Sequence, residues 1–144
     1  MEKVWDPLRR KMVALTPEEK VRQWFISVLM EKMGVPAHMM MSEVSFKFGD
    51  KPFRADILVY GRDTAPILIV ECKREDVALD RDVLEQALRY NLALSVRYII
   101  ITNGHQTFGF KRNGVAGQAA CDTADQDMPF ERMSSFPDWD EMRK

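Results

Sequence analysis

Read for the spacing of its apolar residues, the chain opens its first regular element at Thr16-Pro17-Glu18-Glu19. Thr16 is a good N-cap, Pro17 suits the first helical position, and Glu19 completes a capping box. Val21, Trp24, Phe25, Val28 and Leu29 then recur at helical spacing as one apolar stripe, until Gly34 and Pro36 end the helix. Further on, Val44, Phe46 and Phe48 alternate with Ser45 and Lys47, the mark of a half-buried strand, and a turn follows at Gly49-Asp50-Lys51-Pro52. Phe53 to Tyr60 and Ile67 to Lys73 predict two more strands, joined by a turn over Gly61 to Pro66. Their runs Ile57-Leu58-Val59 and Ile67-Leu68-Ile69-Val70 are continuously apolar, so both faces should be covered. A second helix is expected from about Asp80 to Ser95, burying Val83, Leu84, Ala87, Leu88 and Leu92, with Asn91 at the edge. Tyr98 to Thr102 reads as another buried strand, closed by Asn103-Gly104. Thr107 to Lys111 reads as a short edge strand and Asp138 to Met142 as a short helix.

The order helix, three strands, helix, one or two strands predicts an α/β fold of the α+β kind, a mixed sheet with helices packed on it. The 144 residues suit a single domain (1–144), with an N-terminal arm over 1–15 anchored by Trp5, a core over 16–112 and a C-terminal tail over 113–144. At 46% hydrophobic, the chain has enough apolar mass for a core without disulfide staples. Its two cysteines, Cys72 and Cys121, make no disulfide framework and fit a reducing, cytoplasmic setting. No apolar run approaches the roughly 18 residues of a membrane span, and the N-terminus lacks the features of a signal peptide. With 21 basic against 22 acidic side chains, the net charge of −1 excludes a polycation that grips nucleic acid by bulk charge. Any such contact has to be local.

The informative residues are the polar ones inside the apolar strands. Asp56 lies within one, and Glu71 and Lys73 end the next, sharing a face while Cys72 points the other way. If Tyr60 pairs with Ile67 across the turn, Asp56 falls opposite Glu71, with Cβ atoms about 4.5–5.5 Å apart. Two buried carboxylates that close repel, and a divalent cation coordinating both removes the conflict. Hard oxygen ligands in an incomplete cage favour magnesium, with manganese as a substitute. Lys73, one step along, could orient a polarised water and stabilise charge on a phosphate oxygen, which together form a minimal kit for phosphodiester hydrolysis. The plainer alternative is a structural ion-pair network at a strand end.

Asp56, then Glu71-Cys72-Lys73 after a short hairpin, then Gln86 and Tyr90 in the next helix, resemble the PD-(D/E)xK nuclease superfamily. Gln86-Ala87-Leu88-Arg89-Tyr90 is similar to the helix signature of its branch containing recombination-helicase nuclease domains and restriction subunits. More narrowly, Thr16-Pro17-Glu18-Glu19 with Val21-Arg22-Gln23, Arg54-Ala55-Asp56-Ile57, Val70-Glu71-Cys72-Lys73 and Thr102-Asn103-Gly104 resemble the N-terminal domain family of type I restriction enzyme R subunits, over Trp5 to Phe110. The resemblance implies a restriction-endonuclease-like core holding one or two magnesium ions at Asp56, Glu71 and the Cys72 carbonyl. Lys73 would be the catalytic lysine, with Gln86 and Tyr90 supporting the site or touching the DNA backbone. The family's first helix often adds a glutamate. Glu18, on the edge of the apolar stripe, suits that part better than Glu19, which should point away and cap the helix. R subunits continue into motor domains where this chain ends, so it is expected to act alone, with separate restriction or helicase subunits, or in an altered role.

Other candidates carry less. His38 and His105 lack zinc-ligand spacing. Cys72 is expected to be a buried, inert thiol. Arg9-Arg10-Lys11, Lys47, Lys51, Arg54, Lys111 and Arg112 could form a rim contacting DNA phosphates, or be scattered surface charge. Three functions compete: a metal-dependent deoxyribonuclease, a non-catalytic nucleic-acid-binding or assembly module on the nuclease fold, and a domain whose acids are relics.

Overall fold

Thr16 Oγ1 accepts the Glu19 N–H at 3.1 Å in the computed structural model, which describes residues 2–92, 94–113 and 129–144. The helix so capped is α1, Pro17–Glu31. It ends where Gly34 takes φ +74° and the Val35 N–H reaches back to the Leu29 carbonyl at 2.9 Å. Before it, β1 (Lys3–Asp6) and β2 (Lys11–Ala14) form an antiparallel hairpin. After it come β3 (Met40–Phe48), β4 (Lys51–Tyr60), β5 (Pro66–Cys72), α2 (Arg81–Tyr90), β6 (Tyr98–Thr102), β7 (Thr107–Arg112), β8 (Phe130–Arg132) and α3 (Trp139–Met142). The six strands β3 to β8 lie in sequence order in one mixed sheet, in which only β5 and β6 run parallel, with α2 in the crossover between them.

Each face of the sheet has its own core, as the continuous apolar runs require. Ile57, Val59, Leu68, Val70, Cys72, Tyr98 and Ile100 pack with Val21, Phe25, Ile26 and Leu29 of α1. Leu58, Ile69, Ile99 and Ile101 pack on the other face with Ala87 and Leu88 of α2, joined by Phe53, Ala55 and Phe110. None of the helices described is long and apolar enough to cross a membrane.

Several expectations are corrected. The arm is a hairpin, and Trp5 is 55% exposed; Asp6, fully buried, anchors it instead. A carboxylate holds the arm better than an indole because the surface beneath it offers donors: Ser42 Oγ gives Asp6 a bond of 2.9 Å, and Leu8 N–H one of 2.7 Å. Trp24 leaves the apolar stripe for solvent, edge-to-face with Phe25, while Ile26 takes the inner position. The second helix stops at Tyr90 rather than Ser95, because Asn91 turns its side-chain amide onto the Ala87 carbonyl at 2.9 Å and caps it. Strand β7 is not an edge, since β8 pairs outside it. The short C-terminal helix is present, and its Met142 is wholly buried in the α1-side core. Cys121 and the tail from 114 to 128 lie outside the described residues.

Candidate functional site

The β4–β5 pairing ends at Ile57↔Val70, and the next residues, Asp56 and Glu71, stand where the two strands part. The turn itself departs from the expected register: Tyr60 pairs with Pro66, a bulge after Val59 absorbs the difference, and Val59↔Leu68 restores the pairing that brings Asp56 level with Glu71. In place of a backbone carbonyl, the Cys72 N–H finds Asp56 Oδ2 at 2.8 Å. Asp56 Oδ1 accepts from Arg22 Nη2 of α1 at 3.0 Å. Two fixed bonds hold the carboxylate still, and each oxygen keeps a lone pair to spare.

A cavity of about 480 Å³ opens at this point. Its lining includes Glu18 from α1, Arg54 and Asp56 from β4, Glu71, Cys72 and Lys73 at the end of β5, and Gln86 and Tyr90 from α2. The residues singled out from sequence as acids, lysine and helical supports therefore share one cavity. Lys73 Nζ lies 3.1 Å from Glu71 Oε2. The Tyr90 hydroxyl accepts the Arg54 N–H at 3.2 Å, and its ring meets Phe53 edge-on at 5.5 Å between centroids. The cavity wall beyond Lys73 is the loop through Arg74 and Val77, which Asn103 pins by donating to the Val77 carbonyl at 2.8 Å.

Glu18 is the helix carboxylate that faces the cavity. Burial, and then the charge of Asp56, push its pKa up, with Arg22 pulling the other way. Glu19 does not point away as expected. It is buried, its carboxylate bound by Arg22 and Arg9, so only half of the predicted capping box forms. Cys72 is a buried thiol whose pKa burial raises well above the ordinary value, which suits an inert group on the α1 side of the sheet.

The basic rim is smaller than the sequence suggests. Arg9 is committed to Asp6, Glu19 and Glu43, and Arg112 gives its guanidinium to the Val96 and Leu94 carbonyls. Lys111 sits opposite Tyr98, at the far end of β6 from Thr102, whose neighbour is Cys72. Arg54 lines the cavity, and Lys47 and Lys51 lie near the tip of the β3–β4 hairpin, Lys51 over the Phe53 ring at 5.5 Å.

Among the described residues, no group of three or more His, Cys, Asp or Glu is arranged to hold a metal ion. A fully protein-made cage is thus not what the donors build. Asp56 and Glu71 at the cavity are hard oxygen donors, the type through which magnesium is held by one or two carboxylates while it keeps several waters.

The family described as type I restriction enzyme R protein N terminus (HSDR_N) matches residues 17–124. Among solved structures, a fragment provisionally described as an HsdR subunit of a type I restriction enzyme from Vibrio vulnificus YJ016 aligns with a TM-score of 0.56 at 22% identity, over 87% of this chain. The chain spans 24% of the length of that fragment, and a likeness at that identity speaks to fold. A protein provisionally described as a nuclease belonging to DUF820 from Anabaena variabilis ATCC 29413 aligns with a TM-score of 0.47 at 14% identity, over 70% of this chain and 68% of that one. No curated protein matches the sequence.

Proposed function

The chain belongs to the family of type I restriction enzyme R protein N termini, and on that basis we propose that it is a magnesium-dependent endonuclease domain that hydrolyses DNA phosphodiester bonds. The observation that carries this reading is the gathering of Asp56, Glu71 and Lys73 around one cavity at the parting of β4 and β5. Asp56, Glu71 and the Cys72 carbonyl would hold the ion, with manganese able to replace it. When bound, magnesium supplies polarisation of the phosphate and a water of lowered pKa.

The chain's own residues do the rest. Arg22 and the Cys72 N–H fix Asp56 where it lines the cavity. Lys73, beside Glu71, orients the attacking water and neutralises charge gathering on the phosphate oxygens. Glu18 adds a third carboxylate at the cavity wall. Tyr90 supports the β4 side and Gln86 lines the cavity, while Arg54, Lys51 and Lys47 offer contacts to the DNA backbone. Separate restriction or helicase subunits are the partners that would bring DNA to such a domain.

Glu71→Ala and Lys73→Ala variants test the reading. Each should retain the fold by circular dichroism and lose Mg²⁺- or Mn²⁺-dependent cleavage of plasmid DNA. The loss should be about a hundredfold or more, the scale of removing one stabilising group from an active site. Undiminished cleavage by either variant ends it.

A further inference from the structure

Strands β3 and β4 change faces together at one step. On β4, Phe53 and Ala55 belong to the α2-side core, yet Ile57, two residues on, belongs to the α1-side core with Val59. Side chains two apart in an undisturbed strand share a face, so the alternation slips at Asp56. On β3 the same slip occurs: Met40 packs on the α1 side, whereas Val44 and Phe46 pack on the α2 side. The paired positions run from Met40↔Val59 to Ser42↔Ile57, then resume at Val44↔Ala55, skipping Glu43 and Asp56. Glu43 has φ +46°, a left-handed backbone that non-glycine residues rarely adopt.

We propose that the left-handed step at Glu43 is a positioning device for Asp56: it turns the outer half of the β3–β4 hairpin onto the α2 side and frees Asp56 from the ladder to reach the Cys72 N–H and Arg22. The inference rests on the reading of Asp56 as a metal-binding acid for its functional meaning, though not for its geometry. What keeps a glutamate in that backbone is the N-terminal hairpin. Arg9, itself tied to the buried Asp6, binds the Glu43 carboxylate and Glu19, and Glu19 in turn binds Arg22. Strain stored beside a reacting group and held by the surrounding structure is a recurring feature of functional sites. The hairpin β1–β2, which ends at Ala14, far before Asp56 in sequence, becomes through this chain part of the site's support.

Two substitutions separate backbone from side chain. Glu43→Gly accepts the left-handed φ without strain and lacks the carboxylate; Glu43→Val disfavours that φ strongly. Hydrogen exchange of the Cys72 amide reads the position of Asp56, with Ile69 and Ile99 amides as the measure of the intact sheet, and Mn²⁺ titration by electron paramagnetic resonance reads the site. Glu43→Gly should match the parent protein in both. Glu43→Val should exchange at Cys72 roughly tenfold faster or more while Ile69 stays protected, and bind Mn²⁺ about 10- to 100-fold more weakly, as loss of an outer support to a ligand does. Glu43→Val with Cys72 and Mn²⁺ binding unchanged overturns the proposal. So does Glu43→Gly weakening Mn²⁺ binding, or deprotecting Cys72, with the sheet intact; that arm decides the matter even if Glu43→Val does not fold. A parent protein that takes up no Mn²⁺ sinks the nuclease reading, while the Cys72 amide still decides the positioning role.

Discussion

At the scale of single residues, the buried charges of this protein do more than the acids visible in the strands. Asp6 is fully enclosed, and burial alone would raise its pKa. Its bonds from Arg9, the Leu8 and Arg9 amides and Ser42 outweigh burial and hold it below the ordinary carboxylate value of 3.8. A carboxylate with a lowered folded pKa adds stability above its unfolded value and loses it as pH falls through the folded one. The protein should therefore weaken as pH drops below 3.8, and Asp6→Asn should flatten that acid limb. At neutral pH the same substitution should cost about 3 kcal/mol, the scale of breaking a buried ion pair. Urea denaturation followed by tryptophan fluorescence at several pH values measures both. Asp56, Glu71 and Lys73 were legible as site candidates because a polar side chain inside an apolar pattern is conspicuous, and Glu18 because the resembled family's first helix often adds a glutamate and Glu18 lies at the edge of the stripe. Arg22 was legible only as part of the motif Val21-Arg22-Gln23, with no role attached; its carboxylate partners Glu18, Glu19, Asp56 and, at 3.9 Å, Glu43 needed coordinates.

Elements rather than residues decide the shape of the cavity. Its roof is α2 with Tyr90, its floor the ends of β4 and β5, and one wall the loop after Lys73. That loop is held by Asn103, whose Nδ2 donates to Val77 while its Oδ1 accepts the amides of His105 at 2.9 Å and Gln106 at 2.8 Å. Read from sequence as a strand-ending turn, Asn103-Gly104 proves to be a clamp between two loops. Asn103→Ala removes three bonds of roughly 1 kcal/mol each, so it should lower stability by about 2–3 kcal/mol in urea and speed amide exchange at His105 and Gln106. The helices and central strands were readable because their apolar periodicity reflects a core on each side. Strand β8 and the hairpin β1–β2 were not, because four-residue or three-residue strands carry too short a pattern to distinguish from loop.

For the whole molecule, the described end of the chain is part of the core and not an appendage. Arg97 donates to the Met142 carbonyl at 3.0 Å, and the Trp139 N–H donates to the carbonyl of Met33, just past the end of α1, at 2.8 Å. Met142→Ala should therefore cost about 2–4 kcal/mol, as for other fully buried large-to-small changes, since its side chain is wholly buried. Chemical denaturation compared with a parent control checks it; a change under about 0.5 kcal/mol, typical of surface positions, would show that α3 does not dock.

Taken by itself, the sequence determined the central strands, most of the two main helices and the two strand-borne acids Asp56 and Glu71 of the cavity, because each follows from local spacing: an N-cap, a hydrophobic period, a carboxylate where apolar residues should be. Which charges are buried, and against which partners, was decided only by the tertiary structure. Arg9, Glu19, Glu43 and Asp6 are ordinary surface residues in any local reading, and become a linked network, buried at Asp6 and Glu19 and exposed at Glu43, only when a hairpin, a helix and a strand distant in sequence meet. The left-handed turn at Glu43 belongs to the same class, since no neighbour in the chain demands it and only the assembled contacts make it the favourable conformation.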